Sequence, residues 1–213
     1  MINNKEILEK FGAEFYTTNK TSYTTSRTQD LYHFTLYTGK KKIEIDNGDC
    51  VFYTQSNIAK VSTGPTSIES NEFAVVIRGY KPPQKKAEIG NLTTLPFING
   101  CSTRQIFAPE RIGDPTLQLL SLPPHSSEQA HHMHTTARVA KVISGTGTCV
   151  IGLEKSSYSK KLEPGTIIVI HPMCPHHFET KEDGLLVMPL HIFSSAPGSL
   201  EFNHPMFNGS HHV

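Results

Sequence analysis

After a short opening segment, helical periodicity largely disappears from this chain and short strand-like runs take over. The runs LYHFTLYTG, KKIEIDNGDCVFYT, EFAVVIRGY, TLQLLSLPP, RVAKVISGTGTCVIGL, GTIIVIHP and GLLVMPLHIF are rich in β-branched and aromatic residues. Gly, Asn, Asp, Ser and Pro separate them. Many short strands with frequent turn signals predict an all-β barrel or sandwich. Residues 3–12 alone predict a helix, a short one at the N-terminus. Segment 81–100 (KPPQKKAEIGNLTTLPFING) is rich in Pro, Lys and Gly, and reads as a linker between two halves.

Length and composition narrow the class. The 213 residues fit one large domain or two small ones. With 37% apolar and 18% charged residues, the chain can build a core, so a disordered protein is excluded. The formal net charge is +1, with no long basic run and no helix-turn-helix pattern, so neither nucleic acid nor a membrane surface is expected as a partner. The first residues, MINNKEILEKFGAEF, contain no apolar core of a signal peptide. No apolar stretch approaches the roughly 20 residues that span a bilayer. Cys50, Cys101, Cys149 and Cys174 are widely spaced and form no CxxC pair, which suits reduced thiols in a cytoplasmic protein.

The histidines change the picture. Of 12 in the chain, 11 lie at or after His125, so the C-terminal part is chemically different from the rest. Within it, residues 126–145 read SSEQAHHMHTTARVAKVISG and residues 165–178 read GTIIVIHPMCPHHF. These segments resemble the paired motifs of the cupin superfamily, G-x5-H-x-H-x3-E-x6-G and G-x5-P-x-G-x2-H-x3-N. His132 and His134 fill H-x-H, Gly145 closes the first motif, Gly165 opens the second, and His176 takes its histidine position. There are also departures. Ser126 stands for the first Gly, Arg138 for Glu, His171 for Pro, Met173 for Gly and Thr180 for Asn.

The resemblance implies a jelly-roll barrel (a double-stranded β-helix) that binds one divalent transition metal through His132, His134 and His176. On a strand, residues two apart share a face, so His132 and His134 are expected to point inward together. Three neutral imidazoles with open positions suit Fe, Ni, Zn or Mn and leave room for a small-molecule substrate. Arg138 removes the family's carboxylate ligand. It either binds an anionic substrate or forms an ion pair at the barrel rim. Glu128 has the parity of the two histidines if the strand begins that early, and is a candidate ligand, base or partner of Arg138. His171, at a strand end, is a candidate for acid–base work or a partly exposed loop residue. His191 on the next strand is a candidate to face the cavity. His131 and His177 should point outward, Cys174 reads as a buried inert thiol, and His204, His211 and His212 sit in a polar tail.

The same template can be laid over the N-terminal half. Gly39 and Gly48 then match Gly145 and Gly165, with eight intervening residues instead of nineteen. Ser26, Thr28, Tyr32 and Ala59 fall at the ligand positions, and EFAVVIRGY mirrors LLVMPLHIF. The expected architecture is two cupin repeats, a degenerate one in residues 1–85 and a metal-binding one in residues 86–213. The resemblance implies a homodimer, and a three-histidine site similar to that of non-haem dioxygenases. Isomerase or lyase chemistry, and non-catalytic binding of a small molecule, use the same parts.

Overall fold

The computed structural model describes residues 3–25, 33–70, 72–111 and 113–193. One helix, α1 (Asn4–Phe11), opens the chain where the sequence predicts it. Asn3 and Glu6 close a capping box at its start, and Gly12 ends it in the left-handed region. Asn4 then accepts from and donates to the backbone of Phe15, fastening the helix to the first strand.

Among the described residues all else that is regular is strand, apart from one turn of 3₁₀ helix at Ile98–Gly100. The first half contains β1 (Ala13–Thr17), β2 (Ser22–Thr25), β3 (Phe34–Thr38), β4 (Lys41–Ile45), β5 (Cys50–Gln55), β6 (Ile58–Thr63), β7 (Thr66–Ser70) and β8 (Phe73–Ile77). Then come β9 (Lys85–Glu88), β10 (Leu95–Pro96), β11 (Ser102–Phe107), β12 (Thr116–Leu122) and β13 (Thr136–Gly145). The last are β14 (Gly147–Leu153), β15 (Ser156–Leu162), β16 (Thr166–Ile170), β17 (His176–Glu179) and β18 (Leu185–Phe193). Every pairing is antiparallel. The strands form two main sheets, ordered β2-β3-β8-β5-β6-β9 and β1-β16-β13-β18-β12-β11-β10, and two small ones, β4-β7 and β15-β14-β17.

The two main sheets share one apolar core. Phe34, Leu36, Phe52, Val61, Phe73, Val75 and Ile77 from the first cluster with Leu117, Leu119, Val139, Ile167, Val169, Met188 and Leu190 from the second. Alternate residues on the same strands face the other way, into each repeat's own interior. In the C-terminal repeat these include Ala140, Val142, Ile168, Ile170 and Val187, which pack with Cys149, Ile151 and Phe178 of its small sheet. In the N-terminal repeat the interior is smaller, formed by Ile43, Ile45, Val51, Ile68 and Ala74.

Strand pairing confirms two repeats but corrects their register. The order β3-β8-β5-β6 matches β12-β18-β13-β16. The β4–β7 pair corresponds to the bridges Ser127↔Glu179 and His132↔His176. So β5 matches β13 and β6 matches β16, and the hairpin β14–β15 has no N-terminal counterpart. A turn at Ser56 and Asn57 stands in its place. The Gly39 and Gly48 alignment is therefore displaced, by two strands at Gly39 and by one at Gly48. Ala59 lies on β6 in the shared core, while Ser26, Thr28 and Tyr32 lie outside the described residues. Only the match of β8 to β18 survives, because both follow the last small-sheet strand.

Segment 81–100 is more than a linker. Its β9 pairs with β6 and its β10 with β11. A cut between residues 85 and 86 passes through β9, and it separates β1 from its partner β16 in the C-terminal sheet. The first strand of the chain thus completes the second repeat.

Loss of packing in the shared core should be costly. Leu119 is fully buried there. Leu119→Ala is expected to lower the unfolding free energy by about 2–5 kcal/mol, and the exposed Leu153→Ala by less than about 0.5 kcal/mol, both measured by urea denaturation.

Candidate metal centre

The C-terminal interior holds the histidine cluster. His132 and His134 are not on a regular strand, as parity predicts, but on the irregular segment between β12 and β13. Backbone hydrogen bonds hold that segment in place. The His176 amide donates to the His132 carbonyl at 3.0 Å and the Met173 amide to the His134 carbonyl at 2.7 Å. The residues that depart from the family motifs at its far end bind each other, the Ser126 amide donating to Thr180 Oγ1 at 3.0 Å. Met173, at a motif glycine position, keeps the turn with a φ of 63°, a conformation that costs a side-chain-bearing residue roughly 1–2 kcal/mol. Gly145 closes β13 with φ at 78°, where a Cβ would fall 1.9 Å from the Gly184 carbonyl oxygen.

One ring nitrogen from each of His132, His134 and His176 lies within 4.8 Å of the other two. Among the described residues this is the one group of His, Cys, Asp and Glu placed to hold an ion. The donor set fits a transition metal. His132 Nδ1 faces the Gln129 carbonyl at 2.7 Å and His176 Nδ1 faces the Cys174 carbonyl at 2.8 Å. A carbonyl only accepts, so both Nδ1 atoms carry a proton, and in a neutral ring the lone pair is then on Nε2. His134 Nε2 is buried without any hydrogen-bond partner. Burial first, then the charge of Arg138, lowers the pKa of His134 to about 3. Burial also lowers that of His176 to about 3, against the hydrogen bond to Cys174. Neutral imidazoles are the form that ligates.

Arg138 and His191 line the same interior from the main sheet. They are direct cross-strand partners on β13 and β18, and Thr116 of β12 pairs with His191 on the other side. Their neighbours along the chain, Ala137, Val139, Leu190 and Ile192, all face the shared core, so Arg138 and His191 face inward. Burial lowers the Arg138 pKa to about 10, opposed by the charge of Glu128, and the guanidinium stays protonated at neutral pH. Burial, together with Arg138, His134 and His176, pushes His191 well below its ordinary 6.5. The alternation of β18 was the sequence signal for His191, which the motifs alone do not mark.

Glu128 lies outside the ligand group. The segment that carries it is not a strand, so parity with His132 does not apply. It is buried, its Oε2 accepts from the Phe178 amide at 3.0 Å, and it makes no ion pair with Arg138. Burial raises its pKa, while His132, the Phe178 amide and Arg138 pull the other way. His171 is neither loop-exposed nor at the centre. It is buried, and its Nε2 donates to Glu14 Oε2 at 3.0 Å on the face of the sheet turned away from the cluster. Glu14 also accepts from Tyr16 and Thr24. Burial works to raise the Glu14 pKa, but these bonds and His171 outweigh it, and the net shift is downward. Acid–base work for His171 is therefore set aside, because both of its faces are enclosed.

His131 and His177 meet edge to face with ring centroids 5.4 Å apart, on the far side of β17 from the cluster. All four cysteines are buried and unpaired, and burial raises the Cys174 pKa to about 12. No described helix is long and apolar enough to cross a membrane. His204, His211 and His212 lie outside the described residues.

No family model and no curated protein matches this sequence. Solved structures do resemble it in fold. A protein from Pseudomonas aeruginosa provisionally described as glyoxylate-induced shares 9% identity at a TM-score of 0.61, over 88% of this chain and 92% of its own. Hazelnut (Corylus avellana) vicilin shares 6% identity at a TM-score of 0.50, over 84% and 85%. A cupin 2 conserved barrel domain protein from Leptotrichia buccalis aligns at 12% identity and a TM-score of 0.47, over 83% and 91%. At these identities the likeness is one of fold.

The Glu14–His171 pair is expected to act on stability alone. His171→Ala should cost about 1–3 kcal/mol at pH 7 in urea denaturation and leave metal content unchanged. Because the folded pKa of Glu14 lies below its ordinary 4.5, its contribution is complete above that value and is lost as the pH falls through the folded one. The stability gap between wild type and Glu14→Gln should therefore shrink as the pH falls below 4.5.

Proposed function

On the two-repeat cupin fold that this chain adopts, we propose that the C-terminal repeat binds one divalent transition metal, Fe, Ni, Zn or Mn, through His132, His134 and His176. The centre then acts as an enzyme on a small anionic molecule, in the manner of a three-histidine dioxygenase or of an isomerase or lyase. The observation that carries the reading is the approach of three ring nitrogens within 4.8 Å, two of them aimed by a carbonyl at the opposite nitrogen. An ion bound there would polarise a substrate oxygen as a Lewis acid or, as iron, supply oxygen chemistry.

The chain's own residues supply the rest. The three imidazoles would hold the ion through one ring nitrogen each. Arg138 offers a permanent positive charge to a substrate anion. Phe178, Ile151 and Val187 pack in the same interior and give it an apolar floor. A second reading, binding without catalysis, is favoured by Glu128, the nearby acidic side chain, which lies outside the ligand group and is tied to the Phe178 amide through Oε2.

Metal content tests the first step. Protein purified without chelators is expected to hold about one metal per chain, falling below about 0.1 in His132→Ala and His176→Ala, by elemental analysis. An unchanged metal content in both variants would sink the reading. Oxygen uptake after anaerobic loading with Fe(II), and product formation with the other metals, over a panel of small acids separates the two functions. Ligand-dependent stabilisation with no product under any metal selects the binding role.

A further inference from the structure

The centre contains a second recognition element that the histidine motifs do not include. Arg138 and His191 stand side by side across β13 and β18, and both face the interior. Arg138 Nε and His191 Nε2 are each buried without a hydrogen-bond partner, as is His134 Nε2 close by. Three unpartnered buried nitrogens in one site are costly, since each forfeits its bonds to water.

The row of residues across the sheet offers them nothing. The other cross-strand neighbour of Arg138 is Ile170, and the other neighbour of His191 is Thr116, whose hydroxyl donates to the Asp114 carbonyl. Among the described residues no carboxylate lies within ion-pair distance of Arg138. Glu128, the acidic group it senses, is bonded to the Phe178 amide instead. A guanidinium presents a planar fork of N–H groups, and a carboxylate is the anion of matching shape. On the main-sheet side of the interior, away from the histidine cluster, Arg138 is the one permanent cation among the described residues, so this side matches a single carboxylate.

We propose that Arg138 and His191 form a two-armed clamp for a single carboxylate, and that the substrate is a small carboxylic acid held by one acid group on the main-sheet side of the interior. Arg138 takes both carboxylate oxygens and His191 takes one of them. The clamp deepens the metal-centre reading by naming its substrate class, yet it needs no metal to bind the acid group.

The test is therefore run on the full-length, metal-free chain, labelled with ¹⁵N and titrated with acetate at constant ionic strength. Saturable shifts of the Arg138 Nε–H and His191 ring signals are expected, and phosphate at the same concentrations should give none. Arg138→Met should weaken acetate roughly 10- to 100-fold, the worth of a charged hydrogen bond. His191→Phe should weaken it roughly 2- to 10-fold, with His191→Gln restoring part of the loss. A folded wild-type protein with no saturable acetate shift at Arg138 overturns the clamp, as does equal binding of phosphate. That result needs no variant to fold. Acetate binding in a chain that takes up no metal would remove the metal reading and leave the clamp, and metal binding without acetate binding would do the reverse.

Discussion

The apolar layer between the two main sheets is the constraint on which the rest of the molecule depends. Strands such as β16 and β18 are covered on both faces, by the opposite repeat on one side and by their own interior on the other. Their sequences, TIIVI and LLVMPLHIF, are accordingly near-continuous apolar runs. Two sheets pressed together by side chains as large as Phe52, Phe73 and Met188 cannot slip by one residue without turning every one of them away from its partner. That fixed register places Arg138 opposite His191 and turns both toward the same interior.

With the two repeats joined through this layer, their interiors are free to diverge. The N-terminal interior is closed by Ile43, Ile45 and Ile68 on the β4–β7 pair. The corresponding place in the C-terminal repeat is taken by the bridge from His132 to His176. One repeat therefore closes its interior with apolar packing, and the other holds the histidine cluster there. The extra hairpin β14–β15 belongs to the second repeat alone. Its β14 pairs with β17 next to the His176 bridge, which widens the small sheet around the imidazoles.

The candidate site was readable in the chain to the extent that its parts are local. His132 and His134 are two residues apart, and His176 follows a turn whose shape survives the loss of the family's Pro and Gly. Residues whose roles depend on distant partners were misjudged. The partner of His171 is Glu14, 157 positions away, and no spacing rule connects the two. Glu128 was given the parity of a strand that does not begin until Thr136. The repeat was recognised but set one or two strands out of register, because glycines at turns recur along any β-rich chain. Counting between them does not reveal that a whole hairpin is missing from one half.

Strand-forming runs, turn positions, the short capped helix and the spacing of the clustered histidines follow from the sequence, because each depends on the geometry of a few consecutive residues. Pairing β1 with β16, weaving residues 85–88 into the first repeat and joining Arg138 to His191 depend on which surfaces lose water together. That balance is struck between sheets far apart in the chain, so it appears only once the sheets are packed.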